Sequence, residues 1–333
     1  MKYFYSSFVI TALGLLIAFF IGGFEYLLVC LLLGLLELSL SIDNAVVNAK
    51  VLDSMDEKWR WRFFYFGLPI AVFGLRFFFP LALVALATSH GIGDTLRLAL
   101  YDRDSYHSAL EAHEGKIYAF GSGFLFVVFL GFLFDKEKDL SWIHAIEDSL
   151  VIARLKRLPT WLASIVVIAV FVIVSLGITM LLGDYRWAMV ILYFIAAALL
   201  CVAIKLLDSK LGTEGVRNGL FGFIYLELID ASFSFDGVLG AFALSNDIVL
   251  IMIGLGLGAV FVRSITLYLV AGRTLQKLAY LEHGAHYAIF VLAILLFLKV
   301  LVEVNEVVTG LLGMCFIAAS VVCSLGKDKP PNG

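Results

Sequence analysis

Charged residues are scarce in this chain of 333 residues: Asp, Glu, Lys and Arg together make up 15% of it, whereas 62% is hydrophobic. Soluble globular domains carry about 25% charged residues, so this composition excludes a water-soluble fold. The mean hydropathy is +1.00, and the sequence contains several apolar runs of about twenty residues, the length of a membrane-spanning helix. These features predict an all-α polytopic membrane protein.

An excess of basic residues is also absent, because the net charge is −3, and nothing therefore suggests nucleic acid as a partner. Cysteine is limited to four residues, all of them inside apolar runs. That placement argues against a disulfide framework or a thiolate zinc site and favours small packing residues. The partner that the composition predicts is the lipid bilayer.

Ten apolar segments are candidates for membrane spans. They cover residues 5–22, 24–48, 63–88, 117–134, 159–182, 187–206, 219–245, 248–271, 285–303 and 306–325. The first is as short as a signal peptide, but no small-residue cleavage site follows it, so we expect a retained first helix. With ten spans, most of the 24 Lys and Arg residues fall in connections on the side of the two termini. This predicts a multi-pass protein of the cell (inner) membrane with both termini in the cytoplasm.

The span pattern divides the chain into a first membrane repeat, 1–182, a second, 183–326, and a disordered tail, 327–333. The first repeat contains two long loops. The outer loop, 89–116, is acidic, and we interpret it as a solvated polar loop rather than a cation-attracting vestibule. The loop 135–159 has apolar residues near helical spacing and basic residues at its end, which predicts an amphipathic helix on the cytoplasmic membrane surface.

One acidic motif occurs twice within the apolar segments. Its first copy runs from Glu37 to Asn44 and its second from Asp230 to Gly237; in each copy two acidic residues stand six positions apart with two serines between them. A charged side chain in hydrocarbon costs about 3 kcal/mol or more unless it is paired or hydrated. The acidic residues of both copies are therefore candidates for function.

An intramembrane arginine follows each copy of the motif, Arg76 after the first and Arg263 after the second. Five predicted spans separate the copies, and because five is odd, the second copy enters the membrane in the opposite direction. This predicts an inverted repeat of five plus five helices. Secondary transporters use that design, with a site at the repeat interface formed by broken helices.

The spacing of the acids bears on helix breaks. In an unbroken helix, residues six positions apart point about 120° away from each other, so Glu37 and Asp43 would not share a face. The residues that would share one face are Glu37, Ser41, Asn44 and Asn48. Either the helix unwinds near the serines, or the two acids of each motif serve two adjoining places. We favour unwinding at Ser41–Ile42 and at Ser234–Phe235.

Carboxylates, amides, hydroxyls and freed backbone carbonyls are hard oxygen donors that suit Mg²⁺, Mn²⁺ or Ca²⁺. The predicted metal-binding residues are Glu37, Ser41, Asp43, Asn44, Asp230, Ser234 and Asp236. The residues predicted to serve proton coupling or internal ion pairs are Glu227, Arg76, Arg263 and Lys299. The competing interpretation of each acid is a structural ion pair, and that of each serine is a hydrogen bond to the preceding helical turn.

These motifs resemble the TerC family of integral membrane proteins, within the LysE-like transporter group. The resemblance is carried by Glu37 to Asn44, Glu227 to Asp236, Arg263 with Ser264 and Tyr268, and Leu296 to Lys299. It implies a role in tellurium resistance, manganese export or metal homeostasis, with Asp43, Asn44, Asp230 and Asp236 as binding residues. Gly237 departs from the family pattern, which usually has Ser or Asn there, so the site has one oxygen ligand fewer.

Three functions compete. The leading hypothesis is a transporter, not an enzyme, that exports a divalent cation, Mn²⁺ first of all, as its substrate and holds no permanent cofactor. Glu37 or Asp230 would carry protons. The second hypothesis is a non-transporting membrane subunit of a metal or tellurite stress-response complex. The third is an intramembrane aspartyl protease with Asp43 and Asp236 as its dyad, which the missing Gly-x-Gly-Asp sequence and the extent of the repeat disfavour.

Overall fold

Helices make up most of the chain that its computed structural model describes. The described residues are 3–53, 55–67, 69–70, 72, 74, 78, 81, 85, 91–136, 138, 140–182, 186–210, 220–242, 245, 247–272, 277–300, 304 and 306–327, and none of them forms a strand. The predicted site residue Arg76, most of the predicted span 63–88 and the tail after residue 327 lie outside these ranges.

Fourteen α-helices are described. They are α1 (Tyr5–Leu40), α2 (Ile42–Asp53), α3 (Glu57–Arg62), α4 (Ile92–Tyr101), α5 (Arg103–Glu111), α6 (Glu114–Leu133), α7 (His144–Glu147), α8 (Leu150–Leu155), α9 (Thr160–Leu182), α10 (Arg186–Lys210), α11 (Leu220–Phe242), α12 (Ile248–Ala271), α13 (Leu281–Lys299) and α14 (Glu306–Lys327). A π-helical turn, Phe63–Gly67, follows α3.

Five helical segments of the described chain are long and apolar enough to cross a membrane. They are Tyr5–Leu40, Glu114–Leu133, Thr160–Gly177, Ile248–Ala271 and Leu281–Lys299. Each contains at least 18 residues, and at 1.5 Å per residue such a helix approaches the ~30 Å thickness of the hydrocarbon core. The chain is therefore an all-α membrane protein, as the composition predicts.

Helix α1 consists of two antiparallel segments that meet at Gly22–Gly23. Gly23 has φ +73° and ψ −156°, a conformation that residues other than glycine almost never adopt. Four contacts with α12 trace the reversal: Ser7 with Ser264, Gly14 with Leu257, Tyr26 with Asp247, and Glu37 with Gly258. Residue numbers on α12 fall before the reversal and rise after it. The turn coincides with the predicted boundary between the segments 5–22 and 24–48.

A second interruption separates α1 from α2 at Ser41, whose φ of −113° and ψ of 13° leave the helical region. The Ser41 N–H donates to the Glu37 carbonyl at 3.0 Å, so the two helices follow each other with little change of direction. The predicted unwinding at Ser41–Ile42 is confirmed in this limited form. The predicted unwinding at Ser234–Phe235 is wrong, because α11 is one continuous helix; a serine can occupy a helix without opening its backbone ladder.

Helix α6 lies at the centre of the larger core, between α10 and α13. Gly123 of α6 lies so close to the Phe194 carbonyl of α10 that a Cβ atom would overlap it. On the other side, the Ser122 hydroxyl donates to the Ala293 carbonyl of α13 at 2.7 Å. This bond removes a buried polar hydroxyl from hydrocarbon and fixes the height of the two helices against each other.

The predicted outer loop, 89–116, is not the solvated loop that its charge suggests. Its described part folds into α4 and α5, which bury Ala99, Tyr106 and Leu110 in a shared apolar cluster with Leu33 of α1 and Val238 of α11. The apolar side chains recur at helical spacing between the acidic residues, so these helices bury an apolar face while Asp94, Asp102 and Glu111 remain exposed.

The loop 135–159 forms two short helices, α7 and α8, rather than the single amphipathic helix that its pattern predicts. The cause is Glu147, whose carboxylate is buried and turns the chain inward. Its partners are the Lys138 ammonium at 2.5 Å, the backbone N–H groups of Trp142 and Ile143 at 3.1 Å each, and the Tyr287 hydroxyl of α13 at 3.1 Å. This network fastens the loop to α13.

Candidate cation site

The two acidic motifs lie against each other in antiparallel directions. The Asn44 side-chain N–H donates to Asp230 Oδ1 of α11. Seven residues earlier in the first motif, Glu37 Oε2 lies 2.8 Å from the place that a Cβ atom of Gly237 would take. Residue numbers therefore rise along one segment while they fall along the other. Of the predicted site residues, Asn44 and Asp230 are in direct contact, and Glu37 meets Gly237 of the second motif.

The Glu37 side chain occupies space that two glycines leave open. An added Cβ at Gly258 of α12 would stand 2.6 Å from the Glu37 Cγ, and one at Gly237 would meet the carboxylate. The Ser41 hydroxyl donates to Glu37 Oε1 at 2.7 Å. Gly237 supplies no oxygen ligand, but because it has no side chain it leaves room for the Glu37 carboxylate of the other motif.

The contacts of the two motifs are reciprocal. Glu37 and Asp230 are the first residues of the two copies, and Asn44 and Gly237 are the eighth. In each contact the first residue of one copy meets the eighth residue of the other: Asp230 meets Asn44, and Glu37 meets Gly237. Such an exchange is what a two-fold relation between two antiparallel segments produces.

A second pair of contacts has the same reciprocity. Gly34 and Glu227 each stand three positions before the first acid of their motif, and Gly67 and Gly254 each stand nine positions before an arginine. A Cβ at Gly34 would lie 3.4 Å from the Gly254 carbonyl, and a Cβ at Gly67 would lie 2.9 Å from Glu227 Oε1. Each motif helix therefore packs against a glycine that precedes an intramembrane arginine in the sequence.

Asp43 is buried next to this contact. The Asn44 backbone N–H donates to its Oδ1 at 3.0 Å, and its Oδ2 lies 3.8 Å from the Cβ position of Gly313 in α14. None of the ion pairs among described side chains involves Asp43. For this acid, the interpretation as half of a structural ion pair finds no partner in the described part of the chain.

Two buried amide oxygens in the site have no hydrogen-bond partner within the described residues: Asn44 Oδ1 and Asn48 Oδ1. Both side chains are almost fully buried, with 1% and 3% of their surface exposed. A buried acceptor without a donor is costly, and amide oxygens are good ligands of hard cations. Asn48 is a residue that the sequence analysis placed on the right helix face but did not include in the site.

Five of the predicted residues are either outside the described part of the structure or have described contacts elsewhere. Ser234 and Asp236 belong to α11, but their side chains lie outside the described part, as does all of Arg76. The Arg263 guanidinium lies 5.7 Å from the centre of the Phe64 ring, and the Lys299 ammonium lies 5.2 Å from that of Tyr118. No group of three His, Cys, Asp or Glu side chains that could hold a metal occurs among the residues that are described.

The serines divide between the two interpretations. Ser39 donates to the Leu36 carbonyl of its own helix at 2.7 Å, as the structural interpretation predicts. Ser41 donates instead to Glu37 and orients its carboxylate. Two glycines of α12 permit close helix packing, because a Cβ atom at Gly254 would overlap Leu33 and one at Gly258 would overlap Glu37.

These observations define an all-helical membrane protein with a buried cluster of acids and amides between two antiparallel motifs. Residues 42–330 match the family described as "Protein of unknown function (DUF475)". Because the match covers most of the chain, the protein belongs to the DUF475 family. No curated protein and no solved structure matches the chain.

Proposed function

We propose that this protein is a membrane transporter of a divalent metal cation and that it exports Mn²⁺ in metal homeostasis. The observation that carries the proposal is the donor set of the buried cluster. Carboxylates of Asp43 and Asp230 accompany two amide oxygens, of Asn44 and Asn48, that have no donor in the described part of the protein. A hard cation supplies the positive charge that such oxygens otherwise lack.

The reciprocal contacts support an inverted repeat of five plus five spans. In that arrangement both termini lie in the cytoplasm, the protein resides in the cell (inner) membrane, and the site lies at the interface of the repeats. The resemblance of the motifs to the TerC family agrees with this proposal. The family match and the resemblance are separate observations, and the proposal draws its chemistry from the side chains of the cluster.

Transport would follow from relative movement of the two halves. The Asn44–Asp230 and Glu37–Gly237 contacts each join one motif to the other, so a rocking motion changes both at once. The Asn44 amide N–H holds the Asp230 carboxylate while its oxygen faces the cation, and Asp43 supplies the second charge. Glu37 and Asp230 are the residues that would exchange protons for the cation, since each lies at a contact that opens and closes.

Metal flux into proteoliposomes tests the proposal. The wild type is compared with Asp43→Asn, Asp230→Asn and Asp236→Asn across Mn²⁺, Mg²⁺, Ca²⁺ and Zn²⁺. We expect at least a tenfold loss of Mn²⁺ flux in Asp43→Asn and Asp230→Asn, because each loses a negative charge at the site. Asp94→Asn is the matched control, since Asp94 is an exposed acid on α4. Equal flux in the wild type and in all three site variants would contradict a transport role for the cluster.

One surface favours the second candidate, a non-transporting subunit of a metal or tellurite stress-response complex. Leu150 and Val151 of α8 are 79% and 66% exposed, although the loop around them is fastened to α13. Exposed apolar side chains on a fixed loop are typical of a docking or membrane-surface contact. Copurification of a stable partner that Leu150→Ser releases, together with absence of flux in vesicles, would support this candidate over transport.

A further inference from the structure

The amide oxygen of Asn48 belongs to the donor set of the cluster, but Asn48 makes none of the described contacts between the two motifs. It lies one helical turn beyond Asn44, on the same face of α2, at roughly 6 Å along the helix axis. Its side chain is 3% exposed, and its Oδ1 has no hydrogen-bond donor in the described residues. Burial without a partner at this place calls for a ligand.

A polar stripe connects Asn48 to the cluster. The residues of the stripe are Glu37, Ser41, Asn44 and Asn48, and all four are buried. From Glu37 toward Asn48, fewer of their polar atoms have a described hydrogen-bond partner. Ser41 donates to Glu37, and Asn44 donates its side-chain N–H to Asp230. Among the described residues, the amide oxygens of Asn44 and Asn48 have no donor. Within the described part of the chain, the oxygens without a donor therefore lie toward the Asn48 end of the stripe.

Along the axis of α2, that end of the stripe lies near a contact that reaches water. Two residues after Asn48, the Lys50 ammonium pairs with the Glu282 carboxylate of α13 at 2.9 Å, and the two side chains are 53% and 28% exposed. Asn48 thus lies between the buried acids and the place where α2 reaches water. A cation that leaves the acids in this direction passes Asn48 before it passes the ion pair.

We infer that Asn48 forms a second position for the transported cation, a weak one through which a partly hydrated divalent ion passes between the acidic site and the Lys50 end of α2. The inference rests on the proposed transport function. A neutral amide oxygen binds a hard cation more weakly than a carboxylate does, and a transport path requires sites from which the ion can depart. Residual water would complete the coordination, as these cations usually allow.

Two substitutions test the inference. Asn48→Leu keeps the size of the side chain and removes its oxygen; Asn48→Asp keeps the oxygen and adds a charge. For Mn²⁺ supplied from the Lys50 side, we expect Asn48→Leu to raise the half-saturating concentration about tenfold. We expect Asn48→Asp to lower that concentration and also to lower the maximal rate, because release from a charged ligand is slower.

Stability separates this role from a structural one. Because Asn48 Oδ1 has no donor in the described residues, its removal should leave the metal-free melting temperature unchanged or raise it. Thr11→Val is the matched control, since the Thr11 hydroxyl is also buried without a partner in the described chain. A lower melting temperature in metal-free Asn48→Leu, with unchanged half-saturation in both Asn48 variants, would overturn the inference.

The test also distinguishes failure of the inference from failure of the proposed function. If Asp43→Asn abolishes Mn²⁺ flux while both Asn48 variants transport as the wild type does, the second position is wrong and the transport function stands. If Asp43→Asn and both Asn48 variants all transport as the wild type does, the transport function attributed to the cluster fails as well.

Discussion

Glu37 and Gly237 fit each other across the two motifs: Glu37 Oε2 lies 2.8 Å from the position of a Cβ atom at residue 237. Any side chain at that position would push the carboxylate away. Gly237 thus removes one possible oxygen ligand from the site, but it also provides the space that the Glu37 carboxylate occupies. The fit also explains why the two copies of the motif differ at their eighth residue, where one carries an amide and the other no side chain.

Gly237→Ala should displace Glu37 and disturb the contact between the motifs. Overpacking of a tight core typically costs about 1–3 kcal/mol of folding free energy, and we expect a lower melting temperature together with reduced Mn²⁺ flux. Gly177→Ala on α9 is the matched control, because no atom lies within 4 Å of the Cβ position there. The double variant Gly237→Ala/Glu37→Asp, which shortens the carboxylate by one methylene, should recover part of the stability. A melting temperature equal to that of Gly177→Ala would refute the fit.

Asn44→Asp should make the protein depend on metal for its stability. The substitution replaces an N–H that donates to Asp230 with a second carboxylate, so a favourable bond becomes a like-charge contact. Loss of a hydrogen bond to a charged group costs about 1.5–3 kcal/mol, and we expect the metal-free melting temperature to fall and Mn²⁺ to restore it. Asn44→Leu removes the donor without adding charge, and Mn²⁺ should not rescue it. Equal responses of the two variants to Mn²⁺ would contradict cation binding at this contact.

Gly23→Ala should destabilise the reversal in α1. Gly23 has φ +73° and ψ −156°, and holding a residue with a Cβ atom in this region costs about 1–3 kcal/mol. Thermal unfolding in detergent measures the loss. Gly326→Ala on α14 provides the comparison, because that glycine has an ordinary φ and open space at its Cβ position. If both variants melt at the same temperature, the sharp turn at Gly22–Gly23 is incorrect.

Lys138→Met should release the loop 135–159 from α13. Burial alone would raise the pKa of Glu147, but the hydrogen bond and charge of Lys138 and the N–H groups of Ile143 and Trp142 outweigh it and hold the pKa below its ordinary value of 4.5. A lowered pKa in the folded state contributes stability above pH ~4.5, and this stability is lost as the pH falls through the folded-state pKa. The wild-type loop should therefore stay docked at neutral pH. Without Lys138 the buried carboxylate loses its countercharge and keeps only its N–H and hydroxyl donors; breaking a buried ion pair in this way costs about 3–5 kcal/mol.

Hydrogen exchange of residues 140–155 measures this release. In Lys138→Met we expect faster exchange at pH 7 and partial recovery of protection as the pH is lowered, because protonation neutralises Glu147. Lys136→Met removes an exposed lysine of the same loop and should exchange as the wild type does. Identical exchange in the two variants would mean that the Lys138–Glu147 pair does not hold the loop.

Much of the helical organisation follows from local pattern. The glycine pair at 22–23 between two apolar runs marks a boundary, and the structure turns the chain there. The matching serine patterns of the two motifs were a poorer guide, since the first helix is interrupted at Ser41 and the second continues through Ser234. Ser41 bonds to a Glu37 carboxylate that is wedged against Gly258 and Gly237, and this difference arises from contacts that the local sequence does not contain.

The site itself was predictable only in part. Buried acids in apolar segments stand out in a sequence, and the two motifs that carry them do meet, Asn44 with Asp230 and Glu37 with Gly237. The roles of Gly258 and Gly313 depend on which distant helix lies beside Glu37 and Asp43, and composition gives no sign of this. Asn48 lay on the predicted helix face, but the lack of a hydrogen-bond donor for its side-chain oxygen can be recognised only from the neighbouring residues in the structure.

Two contacts of the helix bundle depend on different physical forces. In one, α4 and α5 bury Tyr106 and Leu110 against α1 and α11; in the other, Lys50 pairs with Glu282 at a partly exposed contact. Dissolved salt screens a partly exposed ion pair but does not weaken apolar burial. Higher ionic strength should therefore weaken the contact between α2 and α13 and leave the packing of α4 and α5 unchanged.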